Sequence, residues 1–215
     1  MEKYREYNFV QDKDLNICYG NGMAYQADMN QSISYDNDYF EHYVVLEDSE
    51  ISKKINSART NLTEKYVKCL IDIGIGSGEF IKKSKCKTYG YDINLKGINW
   101  LKEKGKFVDI YNKELPEDIQ GWTFWDCLEH IPEHSNIFNI LKKGQYLFLS
   151  LPYFDNLDKI RDSKHYKPNE HYYYFTQDGL INYMKDCGFD LLEYNFDETK
   201  SGRSNIIACC FIKNV

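Results

Sequence analysis

Residues 70–80 read Leu-Ile-Asp-Ile-Gly-Ile-Gly-Ser-Gly-Glu-Phe. A short apolar run comes first, Asp72-x-Gly74-x-Gly76-x-Gly78 follows, and Glu79 to Lys85 has helical character. Glycine is required where a backbone turns sharply, or where a ligand lies against it with no Cβ in the way. A helix N-terminus adds unpaired N–H groups and the positive end of a dipole. The stretch therefore predicts a buried strand, Cys69 to Ile73, then a loop that receives a ligand, then a helix whose first turn favours a carboxylate. Asp92 lies 20 positions after Asp72, at the end of a second predicted strand, Thr88 to Asp92. An acidic residue there reaches the two hydroxyls of a ribose, and a carboxylate can accept both O–H bonds.

The spacing separates candidate cofactors. A dinucleotide fingerprint is Gly-x-Gly-x-x-Gly. Counted from Gly74, its third glycine falls on Glu79, which would set a carboxylate against a pyrophosphate. A nucleoside without phosphates is expected instead. S-adenosylmethionine is such a molecule, with adenine, ribose, an amino acid and a sulfonium.

Outward from the loop, strand and helix patterns alternate. Leu95 to Lys104 reads as a helix, Lys106 to Asp109 as a third strand, Trp122 to Asp126 as a fourth, Ser135 to Leu141 as a helix and Gln145 to Leu151 as a fifth strand. Near-continuously apolar strands between helices predict a parallel sheet covered on both faces. Thr176 is a candidate N-cap for a helix over 177–187, with Gly188 as its stop. Phe189 to Phe196 and Asn205 to Lys213 are strand-like and closely linked, which predicts an antiparallel C-terminal hairpin. The expected fold class is α/β: a doubly wound, seven-stranded, mostly parallel sheet closed by that hairpin. Upstream, Ile51, Ile55, Ala58, Leu62 and Tyr66 fall at helical spacing, predicting an amphipathic helix from Glu50 toward Lys68. Residues 1–48 are polar, Tyr-rich and weakly periodic. They read as an N-terminal appendage with short helices, a substrate lid, beside a ligand-binding domain over 49–215. Residues 152–175 form a long polar and aromatic segment, and such loops are functional or disordered.

The net charge is −6, and no basic stripe of the kind that tracks duplex phosphates stands out. Lys82 to Lys87 and Lys102 to Lys106 read as solvated helix faces. No duplex nucleic-acid partner is expected. The seven cysteines are odd in number and include no Cys-x-x-Cys pair. They suit a reducing, cytoplasmic setting rather than a disulfide framework. The opening Met-Glu-Lys-Tyr-Arg-Glu-Tyr lacks an apolar signal core, and no apolar run reaches the roughly 18 residues of a membrane span. The 19 tyrosines are open to two readings, compositional drift or an aromatic-lined pocket.

Together these stretches resemble the class I S-adenosylmethionine-dependent methyltransferases, over roughly residues 50–212. Leu70 to Phe80 looks like the methionyl-binding loop and Tyr89-Gly-Tyr-Asp92 like the ribose-binding segment. Trp125-Asp-Cys-Leu-Glu-His-Ile-Pro132 resembles the Trp-Asp-x-Leu-Glu-His signature of a small-molecule branch that modifies quinones, sugars and lipids. Glu170-His-Tyr-Tyr-Tyr-Phe-Thr176 resembles that branch's Glu-His-x-x-Tyr-Phe-Thr segment. The resemblance implies a Rossmann-like fold, with Asp72, Gly74, Gly76 and Gly78 around the methionyl end. It places Asp92 on the ribose, Ile93 and Asp109 or Ile110 beside the adenine, and Trp125, Asp126 and Cys127 at the transferable methyl. Tyr35 to Tyr43 looks like an aromatic segment that precedes the fold in some relatives. Certain of those carry a zinc knuckle upstream. Here that region holds only Cys18, so no zinc is expected. The chain departs from the pattern between its third and fourth strands, where it is short. Base N-methyltransferases carry an Asn/Asp-Pro-Pro-aromatic signature after the fourth strand, and this chain has Asp126-Cys-Leu-Glu there.

Methyl transfer to a hydroxyl needs a base for the departing proton, worth typically about 10²–10⁴-fold, and histidine titrates in the right range. Of His42, His130, His134, His165 and His171, the candidates are His130, just past the fourth strand, and His171, in the aromatic loop. Each has a plainer reading as a residue that orders its loop. His130 and His134 are four apart, a metal-like spacing, but Pro132 interrupts a helix across them and no metal is expected. Tyr39, Tyr43 and Tyr173 could face a cation. The expected activity is S-adenosylmethionine-dependent transfer to an oxygen or nitrogen of a small-molecule or modified-nucleotide acceptor. Two other readings are a silent cofactor-binding partner subunit and a nicotinamide-dependent oxidoreductase, which Glu79 argues against. Nothing in the sequence fixes the oligomeric state.

Overall fold

The computed structural model describes residues 9–13, 17–27, 47, 49–112 and 115–215. Its centre is a six-stranded sheet. With strands numbered in chain order, β4 (Cys69–Ile73), β5 (Lys87–Tyr91), β6 (Gly121–Trp125), β7 (Tyr146–Pro152), β9 (Phe189–Asn195) and β10 (Ile206–Lys213) lie in the order β5-β4-β6-β7-β10-β9. The pairs β4·β5, β4·β6 and β6·β7 are parallel, and β10 runs antiparallel to both β7 and β9. The Rossmann-like α/β fold and the antiparallel hairpin are as expected.

The third of the seven expected strands, Lys106 to Asp109, is reduced to one parallel bridge between Gly90 and Phe107. The Asp109 carboxylate accepts from Tyr111 N–H, and the Asp109 carbonyl from Asn112 N–H. That side-chain-closed turn pulls the chain off the sheet edge before a second pair forms.

Side chains of the central strands alternate between two cores, as the period of two requires. Leu147, Leu149, Leu151, Ile207, Cys209 and Phe211 enter one cluster, with Trp122 and Phe124. Phe148, Ala208 and Cys210 enter the other, with Leu62, Phe80 and Trp125. Cys209 and Cys210 serve as small hydrophobes, and all seven cysteines are free thiols.

Among the described residues, six α-helices accompany the strands: α1 (Glu50–Glu64), α2 (Glu79–Lys83), α3 (Leu95–Glu103), α4 (His134–Phe138), α5 (Gln177–Asp186) and α6 (Asp197–Lys200). Helix α1 ends at Glu64, short of the expected run to Lys68, and its inward face is not the apolar stripe. Asn56, Thr60, Leu62 and Thr63 are buried, whereas Ile51 is exposed. The polar positions face inward because they have partners: Ser52 meets Glu79 on α2, and Arg59 meets Glu198 on α6. In α5, Thr176 caps the N-terminus by accepting from Gly179 N–H. Gly188 follows the helix with φ 86°.

Within the segment expected to carry short helices, Val10–Asp12, Ile17–Gly20 and Met23–Gln26 are strands. β1 (Val10–Asp12), β2 (Ile17–Gly20) and β3 (Met23–Gln26) join β8 (Tyr173–Phe175) in an antiparallel sheet ordered β1-β2-β3-β8. Asn21 and Gly22 link β2 to β3 with φ of 51° and 76°, the left-handed pair of a two-residue hairpin turn. Thr176 N–H donates to the Gly22 carbonyl and Gln26 N–H to that of Tyr172. The hairpin thus braces the segment that carries His171. Tyr39, His42 and Tyr43 lie outside the described residues. Among the described residues no helix is long and apolar enough to cross a membrane.

Candidate active site

The chain steps outward from β4 to β5, then returns to pair β6 on the other side of β4. Ligands of open α/β sheets bind at such a switch point, beyond the carboxyl ends of the strands. The loop after β4 occupies it. Gly74, Gly76 and Gly78 have φ of 72°, 54° and 77°, a left-handed conformation that L side chains rarely adopt. At Gly74 a Cβ would stand 2.7 Å from Cys127 Sγ. The loop is tied to β5 by Gly74 N–H donating to the Tyr91 carbonyl, 2.9 Å.

Asp92 completes the tie. Its Oδ2 accepts from Ile75 N–H at 2.9 Å and its Oδ1 from Asn94 N–H at 2.7 Å. Burial raises its pKa, against the pull of those backbone donors. A Cβ on Gly97 would stand 3.2 Å from the Asp92 carboxyl carbon, so glycine keeps that side open. Beside it, Ile93, Leu95 and Tyr111 are exposed apolar residues, and Tyr111 meets Tyr91 edge-on at 5.8 Å. Asp109 is exposed, while Ile110 is buried in the core.

Asp72 faces away from the surface. It is buried on β4, and its Oδ1 accepts from the Thr123 hydroxyl of β6 at 2.6 Å. Burial pushes its pKa up to about 7, against the Thr123 hydrogen bond and the Arg59 charge, with Asp92 adding to the rise. The unfolded chain titrates near about 4. Between those values the folded state keeps a proton that the unfolded state has lost, so stability falls as pH rises through the window. Asp72→Asn keeps the acceptor for Thr123 and removes the titration. It should gain stability relative to the parent between pH 4 and pH 8, on the order of 2–4 kcal/mol. Denaturant melts at the two pH values check this; a constant difference would contradict it.

Past β6, Asp126 adopts φ 51°, and its carboxylate is fully engaged. Arg203 grips both oxygens at 2.7 and 2.8 Å, and Arg59 binds Oδ2 at 2.7 Å. Both guanidiniums also bind Glu198, which is buried. Two arginines and two carboxylates form a neutral network under the turn. Burial opposes the charge on Asp126, but Arg203 and Arg59 hold its pKa well below the usual range. Trp125 is buried, with its ring on Phe80 at 5.3 Å and beneath Arg59 at 5.1 Å. Asp126 and Trp125 thus face the network and the core, and Cys127 faces Gly74.

A 3₁₀ turn, Leu128–His130, follows. Tyr172 N–H donates to the Glu129 carbonyl, which brings the β8 segment over the turn. His130 and His171 meet at right angles, ring centres 4.7 Å apart. Burial lowers both pKa values, that of His171 to about 3, where His130 also contributes. One ligand atom each from Glu129, His130 and His171 lies within 4.8 Å of the others. His134 goes elsewhere: its Nδ1 bonds the Tyr183 hydroxyl at 2.6 Å and its Nε2 the Leu128 carbonyl at 2.7 Å. The four-residue histidine spacing is a core contact. His165 bonds the Ser204 carbonyl, and Tyr173 donates to the Pro132 carbonyl.

Sequence reasoning missed Arg59, Glu198, Arg203 and Glu129. Glu198 and Arg203 are neighbours in one segment, but Arg59 lies 139 residues before Glu198, and no local pattern joins the two. Glu129 lay in view between a conspicuous strand and a conspicuous histidine.

A family profile described as a methyltransferase domain matches residues 40–194, most of the chain, and the chain belongs to that family. The fold also resembles solved structures. One is an S-adenosylmethionine-dependent methyltransferase from Archaeoglobus fulgidus, at 20% identity and TM-score 0.57, covering 81% of this chain and 99% of that one. A second is the 1,6-didemethyltoxoflavin-N1-methyltransferase of Burkholderia thailandensis, solved with 1,6-didemethyltoxoflavin and S-adenosylhomocysteine, at 14% identity and TM-score 0.56, covering 83% and 84%. A third is human N-acetylserotonin methyltransferase in complex with S-adenosylmethionine, at 15% identity and TM-score 0.59, covering 83% and 56%. No curated protein matches in sequence.

Proposed function

We propose that the chain is an S-adenosylmethionine-dependent methyltransferase acting on an oxygen or nitrogen of a small molecule. The observation that carries this is the left-handed turn over Gly74–Gly78, locked to Asp92 through Ile75 N–H at the switch point of the sheet. The residues fit the cofactor. The Asp92 carboxylate keeps acceptor capacity beyond its backbone bonds, which suits a ribose diol. Ile93 and Tyr111 offer apolar surface beside it for a purine. Gly74, Gly76 and Gly78 leave room at the amino-acid end, and Asp72 ties β4 to β6 through Thr123 just before the loop. Bound there, S-adenosylmethionine would supply a methyl group on a positively charged sulfur. The Arg59–Glu198–Arg203 network neutralises Asp126 and fixes the turn that presents Cys127 to the loop.

Glu79 argues against a nicotinamide dinucleotide. It opens α2 with its carboxylate held by Ser52 and Lys83, where a pyrophosphate would dock. Calorimetric titration tests the reading. S-adenosylmethionine should bind one to one and NAD should not. Binding of NAD alone would overturn it.

His130 and His171 are the side chains poised to act on the acceptor, and residues 1–48, through the hairpin on β8, are the segment that selects it. Replacing either histidine by alanine should lower turnover about 10²-fold or more with cofactor affinity unchanged. Full turnover in both variants would remove histidine from the mechanism. Binding without turnover of any acceptor would favour a silent partner subunit.

A further inference from the structure

We propose that Glu129, His130 and His171 hold a divalent transition-metal ion beside the glycine loop. Three observations converge. Ligand atoms of the three residues lie within 4.8 Å of one another. Ligands about 2.1 Å from one ion stand roughly 3.4 Å apart in a tetrahedron, so a small movement of the side chains closes them on an ion. The second observation is Glu129 Oε2, which is buried with no hydrogen-bond partner, on a residue only 2% exposed. An unanswered buried carboxylate oxygen is costly, and a cation answers it. The third is the orientation of His130. Its Nδ1 faces the Glu170 carbonyl at 3.1 Å. A carbonyl only accepts, so Nδ1 carries the proton and Nε2 the lone pair. A backbone carbonyl behind a histidine is the support that metal-ligating rings receive.

The frame around the cluster is fixed before any ion arrives. The Glu129 carbonyl is tied to Tyr172 N–H, and Tyr172 in turn to β3 through Gln26 N–H. Asp126 competes for no ion, since Arg59 and Arg203 occupy its oxygens. Two imidazoles and one carboxylate suit zinc, manganese, iron or cobalt. Calcium and magnesium favour all-oxygen shells. Three protein ligands leave a position for an oxygen of the acceptor. The neighbouring Cys127 abuts Gly74, so that oxygen would sit near the cofactor loop. The expected acceptor class is therefore one bearing a hydroxyl. This last step rests on the methyltransferase reading, whereas binding of the ion does not. The assignment reverses the sequence-based expectation of no metal, and the two histidines would then act on the acceptor through the ion.

The test uses the full chain, stripped with chelator and titrated with zinc and with cobalt, while S-adenosylmethionine affinity is measured on the same samples. One zinc per chain should bind. Glu129→Gln and His171→Asn should each weaken it by about 10–100-fold, with far-ultraviolet circular dichroism and S-adenosylmethionine affinity retained. Cobalt should give visible bands without the near-ultraviolet absorption of thiolate ligation. Absence of zinc binding, equal affinity in Glu129→Gln, or a thiolate band would overturn the proposal. If a variant loses its fold, the cobalt spectrum of the parent chain decides. Loss of zinc binding alone would leave the methyltransferase reading standing, and loss of S-adenosylmethionine binding alone would leave the metal site standing.

Discussion

Glu198→Ala is expected to cost about 3–5 kcal/mol of folding stability, because removing one partner of a buried ion pair leaves uncompensated charge behind. Glu198 is 1% exposed and bridges Arg59 and Arg203. Without it both guanidiniums fall on Asp126 alone, and the network carries a net positive charge. Such a loss is a large part of the roughly 5–15 kcal/mol that holds an ordinary domain. Glu198→Gln, which keeps the shape, should share most of the loss. The surface pair Glu50–Lys53 sets the contrast: its side chains are 81% and 51% exposed, and Glu50→Ala should change stability by less than about 1 kcal/mol. Urea denaturation measures all three. A Glu198→Ala cost as small as that of Glu50→Ala would show that Arg203 and Asp126 manage alone.

Asp92→Ala should weaken S-adenosylmethionine binding at least tenfold. Two losses combine. The ribose hydroxyls lose their acceptor, and Ile75 N–H loses the bond that ties the glycine loop to β5. A buried donor left unpaired costs about 1–3 kcal/mol, and part of that falls on the loop's geometry. Asp92→Asn keeps one acceptor oxygen and should lie between. Calorimetry distinguishes the outcomes, and unchanged affinity in Asp92→Ala would remove Asp92 from the site.

Local patterns carried most of the fold. The run Leu70 to Ile73 is apolar enough for a central strand, the alternating glycines can only be a left-handed turn, and Thr176 and Gly188 mark both ends of α5. Each is decided by neighbours within a few residues. The Asn21-Gly22 hairpin is equally legible in itself, but its flanking strands are only four residues long each, too short for their alternation to stand out. Helix α1 was found, but its inward face was misjudged. An apolar stripe is the usual guide to burial, and here Ser52 and Arg59 meet partners that lie far along the chain. The strand over 106–109 read as regular because nothing in its apolar pattern shows that Asp109 will cap a turn. At the site, Asp92 and the glycines were legible from spacing. The ion network and the cluster at Glu129 were not, since both depend on how distant elements pack.

A crystal structure with S-adenosylhomocysteine tests the central claim most directly. The ribose hydroxyls should lie within hydrogen-bonding distance of the Asp92 carboxylate, with the amino-acid end against Gly74 to Gly78. Ligand density away from β4 and β5, or a turn filled by the chain's own side chains with the ligand shut out, would contradict it.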